Sequence, residues 1–154
     1  MATETSTRTT PVTDLADWKA GVIGGLGGGL VFGILMSIMM PDIIGGAIPG
    51  LYGFSGGLAG WTIHMAHSAV LGVVFAGIAS AAPQYTNTVG KSLAAGVGYG
   101  IVLWAILGAI VMPLWVGAVL PMNPPVPTIN PMSLVGHTVY GGLLGLLYSV
   151  FTSR

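Results

Sequence analysis

Long stretches of this chain carry no charge, and their lengths limit it to one kind of fold. Four uncharged intervals run from about Ala20 to Met40, Gly57 to Ala82, Ser92 to Met112 and Ser133 to Phe151. As helix, at about 1.5 Å of rise per residue, each reaches across about 30 Å of hydrocarbon. Pro41, Pro83 and Pro113 close the first three, and a polar Thr-Ser-Arg exit closes the fourth. The expected fold is an all-α integral membrane protein with four transmembrane helices.

Composition supports the same class, because 5% of the 154 residues are charged, against about a quarter in a soluble domain. The charges are scattered and balanced, which excludes a nucleic-acid footprint. The expected partners are the lipid bilayer and either other membrane subunits or further copies of the chain. With no cysteine, disulfides, thiolate metal sites and iron–sulfur clusters are excluded.

The first interval is longer than the core of a cleavable signal peptide and reads as a retained span. Residues 1–19 read as a disordered cytoplasmic tail, with Asp14 to Lys19 leading into the membrane. Arg8, Lys19, Lys91 and Arg154 all fall on one side of a four-span chain. The positive-inside tendency puts that side in the cytoplasm, giving a multi-pass cell-membrane protein with both termini inside. The longer connections, Pro41 to Gly56 and Pro113 to Met132, carry no basic residue and face outward. After each Met-Pro an apolar pattern continues, from Asp42 and from Leu114, and predicts short interfacial helices in the outer loops. Pro121 to Pro131 is held extended by its prolines and reads as a cap.

A shift of 72 positions lays Gly24 on Gly96, Gly28 on Gly100, Phe32 on Trp104 and Met40-Pro41 on Met112-Pro113. A shift of 73 lays His64 on His137, Gly72 on Gly145 and Phe75 on Tyr148. The pattern predicts two tandem two-helix repeats, 20–82 and 92–154, inserted in the same direction and related by an axis along the membrane normal. Glycines four apart, such as Gly21, Gly25 and Gly29 or Gly141 and Gly145, let membrane helices approach closely. Such rows serve contact among the four helices, contact between protomers, or a flat slot for a planar cofactor.

All three histidines, His64, His67 and His137, lie inside spans, where an ionisable group marks a candidate functional site. His64 and His67 share a helical face, and the repeat sets His137 at the height of His64. Neutral imidazole ligates heme iron, copper and zinc, so these residues are the cofactor-binding and metal candidates. A b-type heme would sit between His64 or His67 and His137, with Gly60, Ser68, Gly72 and Gly141 giving it room. Its propionates would rely on Trp61, Thr62, Tyr140, Asn123 or Asn130, because no Lys or Arg is expected there. A copper site would add thioethers, Met112 and Met122 above all, from a group that also includes Met39, Met40 and Met132. The third reading has no cofactor: the imidazoles only join helices by hydrogen bonds, each worth about 0.6 kcal/mol.

No span contains Asp, Glu, Lys or Arg, which argues against ion pumping. The P-loop, G-x-S-x-G and H-E-x-x-H signatures are missing, so an independent enzyme is not expected. The pattern G-x-x-x-G, M-M-P-D-I-I, L-Y-G and G-W-x-x-H-x-x-H-S, then M-P-x-W and S-L-x-G-H-x-x-Y-G, resembles small four-span membrane proteins found mainly in halophilic archaea. That resemblance covers about Ala20 to Phe151 and implies the membrane class without an activity. Three functions stay open: a non-catalytic redox subunit holding heme b, a structural scaffold subunit, and a copper-handling or small-solute protein.

Overall fold

The protein is described by a computed structural model covering residues 13–152, and every regular element among the described residues is a helix. Four helices are long and apolar enough to span a membrane: α1, Thr13–Met39; α2, Gly57–Ala81; α3, Val89–Val119; and α4, Pro131–Thr152. Helix α1 starts before Ala20, so residues 13–19 are helical where a tail was expected. The rest of that tail lies outside the described residues. The first loop, after Pro41, is helical too, with a π turn at Ile43–Ala47 followed by Ile48–Gly50. Gly56, at φ 88°, then turns the chain into α2.

The two Met-Pro steps behave differently. Helix α1 stops at Met39, whereas α3 passes through Pro113 to Val119, past the end expected at Met112. Proline has no N–H and leaves the carbonyl four residues earlier without its helical donor. In a membrane that carbonyl needs an internal partner. The backbone N–H of Thr128 supplies it, donating to Ala109 at 2.8 Å and tying the non-helical 120–130 segment against α3. The same segment ends at Asn130, whose Oδ1 accepts from the N–H groups of Met132 (2.9 Å) and Ser133 (3.2 Å) and so caps α4.

In cross-section the helices form an arc in the order α2, α1, α4, α3, with neighbours tightly packed and the backbones of α2 and α3 scarcely meeting. Glycine makes this possible. A Cβ on Gly25 would collide with the Ser68 carbonyl, and one on Gly72 with the Gly21 carbonyl, so α1 and α2 touch backbone to backbone. In α3 and α4, Gly96 and Gly141 are each blocked by the other's carbonyl, and Gly145 by that of Ser92. Gly24 and Gly28, on another face of α1, meet Leu144 and Tyr140 of α4. The glycine rows are therefore used for contact among the four helices of one chain.

These contacts pack the two helix pairs alike. Gly21, Gly25 and Gly29 occupy the packing positions of Ser92, Gly96 and Gly100, a shift of 71 instead of 72. Beyond this stretch Met40-Pro41 and Met112-Pro113 stand 72 apart, one residue more. The change of spacing falls where α3 is π-helical, Trp104–Val111, and a π turn takes up one residue without breaking the helix.

Candidate functional site

Because α2 and α3 do not pack, only side chains close the gap between them. Midway along, the Tyr99 hydroxyl donates to the Leu71 carbonyl (2.8 Å) and its ring lies 5.4 Å from that of Phe75. Tyr140 of α4 donates to the Ser68 carbonyl of α2 at 2.8 Å. On the loop-rich side of these tyrosines the gap widens into a cavity of about 470 Å³. All four spans and both long loops contribute to its wall, and the wall contains no Asp, Glu, Lys or Arg.

All three histidines border this cavity, as do Met112 and Met122. Met40 and Met36 also line it; Met39 and Met132 do not. The sequence thus identified one region of space, although it left out Met36. Among the described residues, no group of three His, Cys, Asp or Glu side chains is arranged to hold a metal ion.

Each imidazole is held in its own way. His64 is buried on α2, and its Nε2–H donates to the Gly29 carbonyl of α1 at 2.8 Å, an interhelical bond. That bond leaves Nδ1 as its acceptor. His137 bends back along its own helix, with Nδ1–H donating to the Ser133 carbonyl at 2.7 Å, and Nε2 makes no hydrogen bond with the described residues. His67 is exposed at the cavity edge, with Nε2 2.7 Å from the Tyr52 hydroxyl. Tyr52 also packs edge-on against Trp115 at 5.2 Å, which fastens the first loop to both α2 and α3.

The glycines expected to give a heme room face backbone instead. A Cβ on Gly60 would strike the Ile44 carbonyl, and Gly72 and Gly141 are pressed against the backbones of Gly21 and Gly96. These glycines make way for neighbouring backbone. The Phe32 ring from α1 contacts both candidate partners, 5.6 Å from the His64 ring and 4.8 Å from the His137 ring, edge-on to each. A guest shared by His64 and His137 would have to displace it. Four of the five predicted propionate partners are also engaged: Tyr140 binds Ser68, Asn130 caps α4, Thr62 donates to the Leu58 carbonyl, and Trp61 packs over Gly33.

Sequence reasoning also missed Phe32 and Trp104 as neighbours of the histidines. Phe32 is one, since an apolar residue in a span carries no sign that it sits between two histidines. Trp104 is another: it opens the π turn, and its buried Nε1–H has no hydrogen-bond partner among the described residues. Gly108, one turn on, faces both: its Cβ position lies 3.3 Å from His137 Cε1 and from Trp104 Cδ1. No family model, curated protein or solved structure matches this chain.

Proposed function

We propose that this chain is a non-catalytic multi-spanning membrane subunit that holds a neutral, lipid-soluble guest in the cavity between α2 and α3. One observation carries the reading: a largely apolar cavity of about 470 Å³ is bordered by every histidine of the chain and by no charged side chain. Small-molecule sites span about 300–1,000 Å³ and combine an apolar wall with a few placed polar groups. A guest dissolved in the bilayer needs no aqueous route, because the α2–α3 gap faces lipid. The positive-inside pattern puts the site in the outer leaflet, and the like-packed helix pairs support a duplicated two-helix unit.

A b-type heme is a second reading, favoured by His137. An imidazole whose Nδ1–H is fixed by a backbone carbonyl and whose Nε2 is unpartnered has the orientation of a metal ligand. Against it, two propionates would be buried beside an uncharged wall. Copper would call on Met112 and Met122 from the same wall.

The full chain, purified in detergent from its native membrane, is examined by absorption spectroscopy, elemental analysis and mass spectrometry of its organic extract. The expected result is a retained neutral compound that the cavity-filling Leu107→Trp variant loses. A Soret band or stoichiometric copper transfers the conclusion to those readings. An extract identical for wild type and Leu107→Trp overturns the guest-holding function.

A further inference from the structure

The polar atoms on the buried and half-buried part of the cavity wall divide into those already bonded and those still open. Ser68 donates to the His64 carbonyl, Thr128 to that of Pro125, Tyr140 to that of Ser68, and Asn130 Nδ2 to Met40 Sδ. These donors are spent inside the protein. On His137 the Ser133 carbonyl takes Nδ1–H at 2.7 Å, so Nε2 carries a lone pair and can only accept. Among the described residues that are not exposed, Trp104 Nε1 is the one side-chain nitrogen or oxygen both sealed and without a partner. His137 Nε2, which also lacks a partner, is therefore open, and the space its ring borders is the cavity. His64 Nδ1 adds a second acceptor and no donor. Beside His137 the approach is set by Gly108. A Cβ there would stand 3.3 Å from His137 Cε1 and 3.4 Å from Ser133 Oγ, and glycine keeps that position clear. The Ser133 hydroxyl lies 3.4 Å from His137 Nδ1, but that nitrogen already carries a proton, so the hydroxyl keeps its own to give.

The group that fits gives one hydrogen bond and takes one, and a hydroxyl does both. A ketone or an ether answers Ser133 and leaves the imidazole without a donor. A carboxylate finds no cation on the wall, and a protonated amine would bury its charge against apolar surface. We propose that the cavity selects a neutral, lipid-soluble alcohol, whose hydroxyl donates to His137 Nε2 and accepts from Ser133. Its hydrocarbon lies against the apolar wall, which includes Phe32, Leu103 and Leu107. This assignment names the chemical class of the guest and rests on the guest-holding reading above.

The test titrates the full chain in phosphatidylcholine nanodiscs with tritiated farnesol, a branched alcohol, and with tritiated 1-dodecanol, a straight one; empty nanodiscs are the partition blank. At least one of the two is expected to saturate at one molecule per chain. Its methyl ether, with the same hydrocarbon and no proton to give, is expected to compete about tenfold less well, the loss of one buried hydrogen bond. His137→Phe is expected to erase that preference, weakening the alcohol about tenfold and leaving the ether unchanged. Gly77→Ala, open to lipid, keeps it. If the ether competes as well as the alcohol, or if His137→Phe retains the preference, the alcohol assignment fails and the guest-holding function stands. If neither alcohol nor ether binds beyond the blank, both fail. Should His137→Phe not fold, as judged by its thermal midpoint, the wild-type comparison of alcohol with ether decides alone.

Discussion

Helices α1 and α2 meet through Gly25 and Gly72, and α3 and α4 through Gly96 and Gly145, yet the histidine at the same height in each pair plays a different part. His64 reaches across to its partner helix and spends Nε2 on Gly29. His137 folds onto Ser133 of its own helix and keeps Nε2 for the cavity. The indoles exchange places as well. In the first pair Trp61 of α2 covers Gly33 of α1; in the second, Trp104 stands on α3 at the position of Gly33 when the packing shift of 71 is applied. Glycine contacts set how far apart two helices lie, and a few larger residues then decide whether a polar group joins the helices or faces a guest. The π turn inside α3 adds to the difference, because π turns recur at functional sites.

The largest effect is expected where the pairs are alike. Gly25→Val and Gly96→Val push a side chain into a neighbouring backbone, and each should cost about 3 kcal/mol or more in SDS-induced unfolding from mixed micelles. Gly77→Val, with nothing within 4 Å of a Cβ, serves as the unchanged control. Equal tolerance at all three sites would remove the shared packing on which the comparison rests.

The next effect is confined to the second pair. Thr128→Pro removes the N–H that Ala109 accepts, leaving a carbonyl unpaired at a cost of about 1–3 kcal/mol. Unfolding measured in the same micelles should show that loss, and hydrogen exchange should show faster opening of 120–130. An unchanged variant would mean that α3 passes Pro113 without help from the loop.

A smaller effect separates the histidines. His64→Phe should lower stability by about 0.6 to 1.7 kcal/mol, the range for polar contacts between membrane helices. His137→Phe should change it little, because its bond stays within one turn of α4. Reversed values would mean that the roles of the two rings are exchanged. Smallest of all, Tyr99→Phe and Tyr140→Phe each lose one hydroxyl contact to α2, worth about 0.6 kcal/mol. A double variant that loses much more than the sum would show that the two hydroxyls close the gap cooperatively.

Much of the fold could be read from the chain before any coordinates. The four spans were, and so was the region where His64, His67, His137, Met112 and Met122 gather, because the Met-Pro steps and the histidine spacing put them at one height. The glycine rows announced close packing without saying against what. Sequence matching pairs Gly24 with Gly96, whereas in the packing Gly25 takes the place that Gly96 takes, because the spacing of the two helices changes by one residue across the π turn. Tyr52 offered no sign that it would reach His67, fifteen residues along.

The sequence by itself determined the number of spans and their approximate ends, because crossing a membrane depends on local length, hydropathy and charge. Only the tertiary structure decided that the glycines face one another within the chain, that Phe32 touches both His64 and His137, and that Trp104 lies unpaired beside Gly108. Those outcomes depend on the rotation and depth of one helix against another. One residue of register turns a helix by about 100° and moves it about 1.5 Å, which changes every partner while leaving the apolar pattern almost the same.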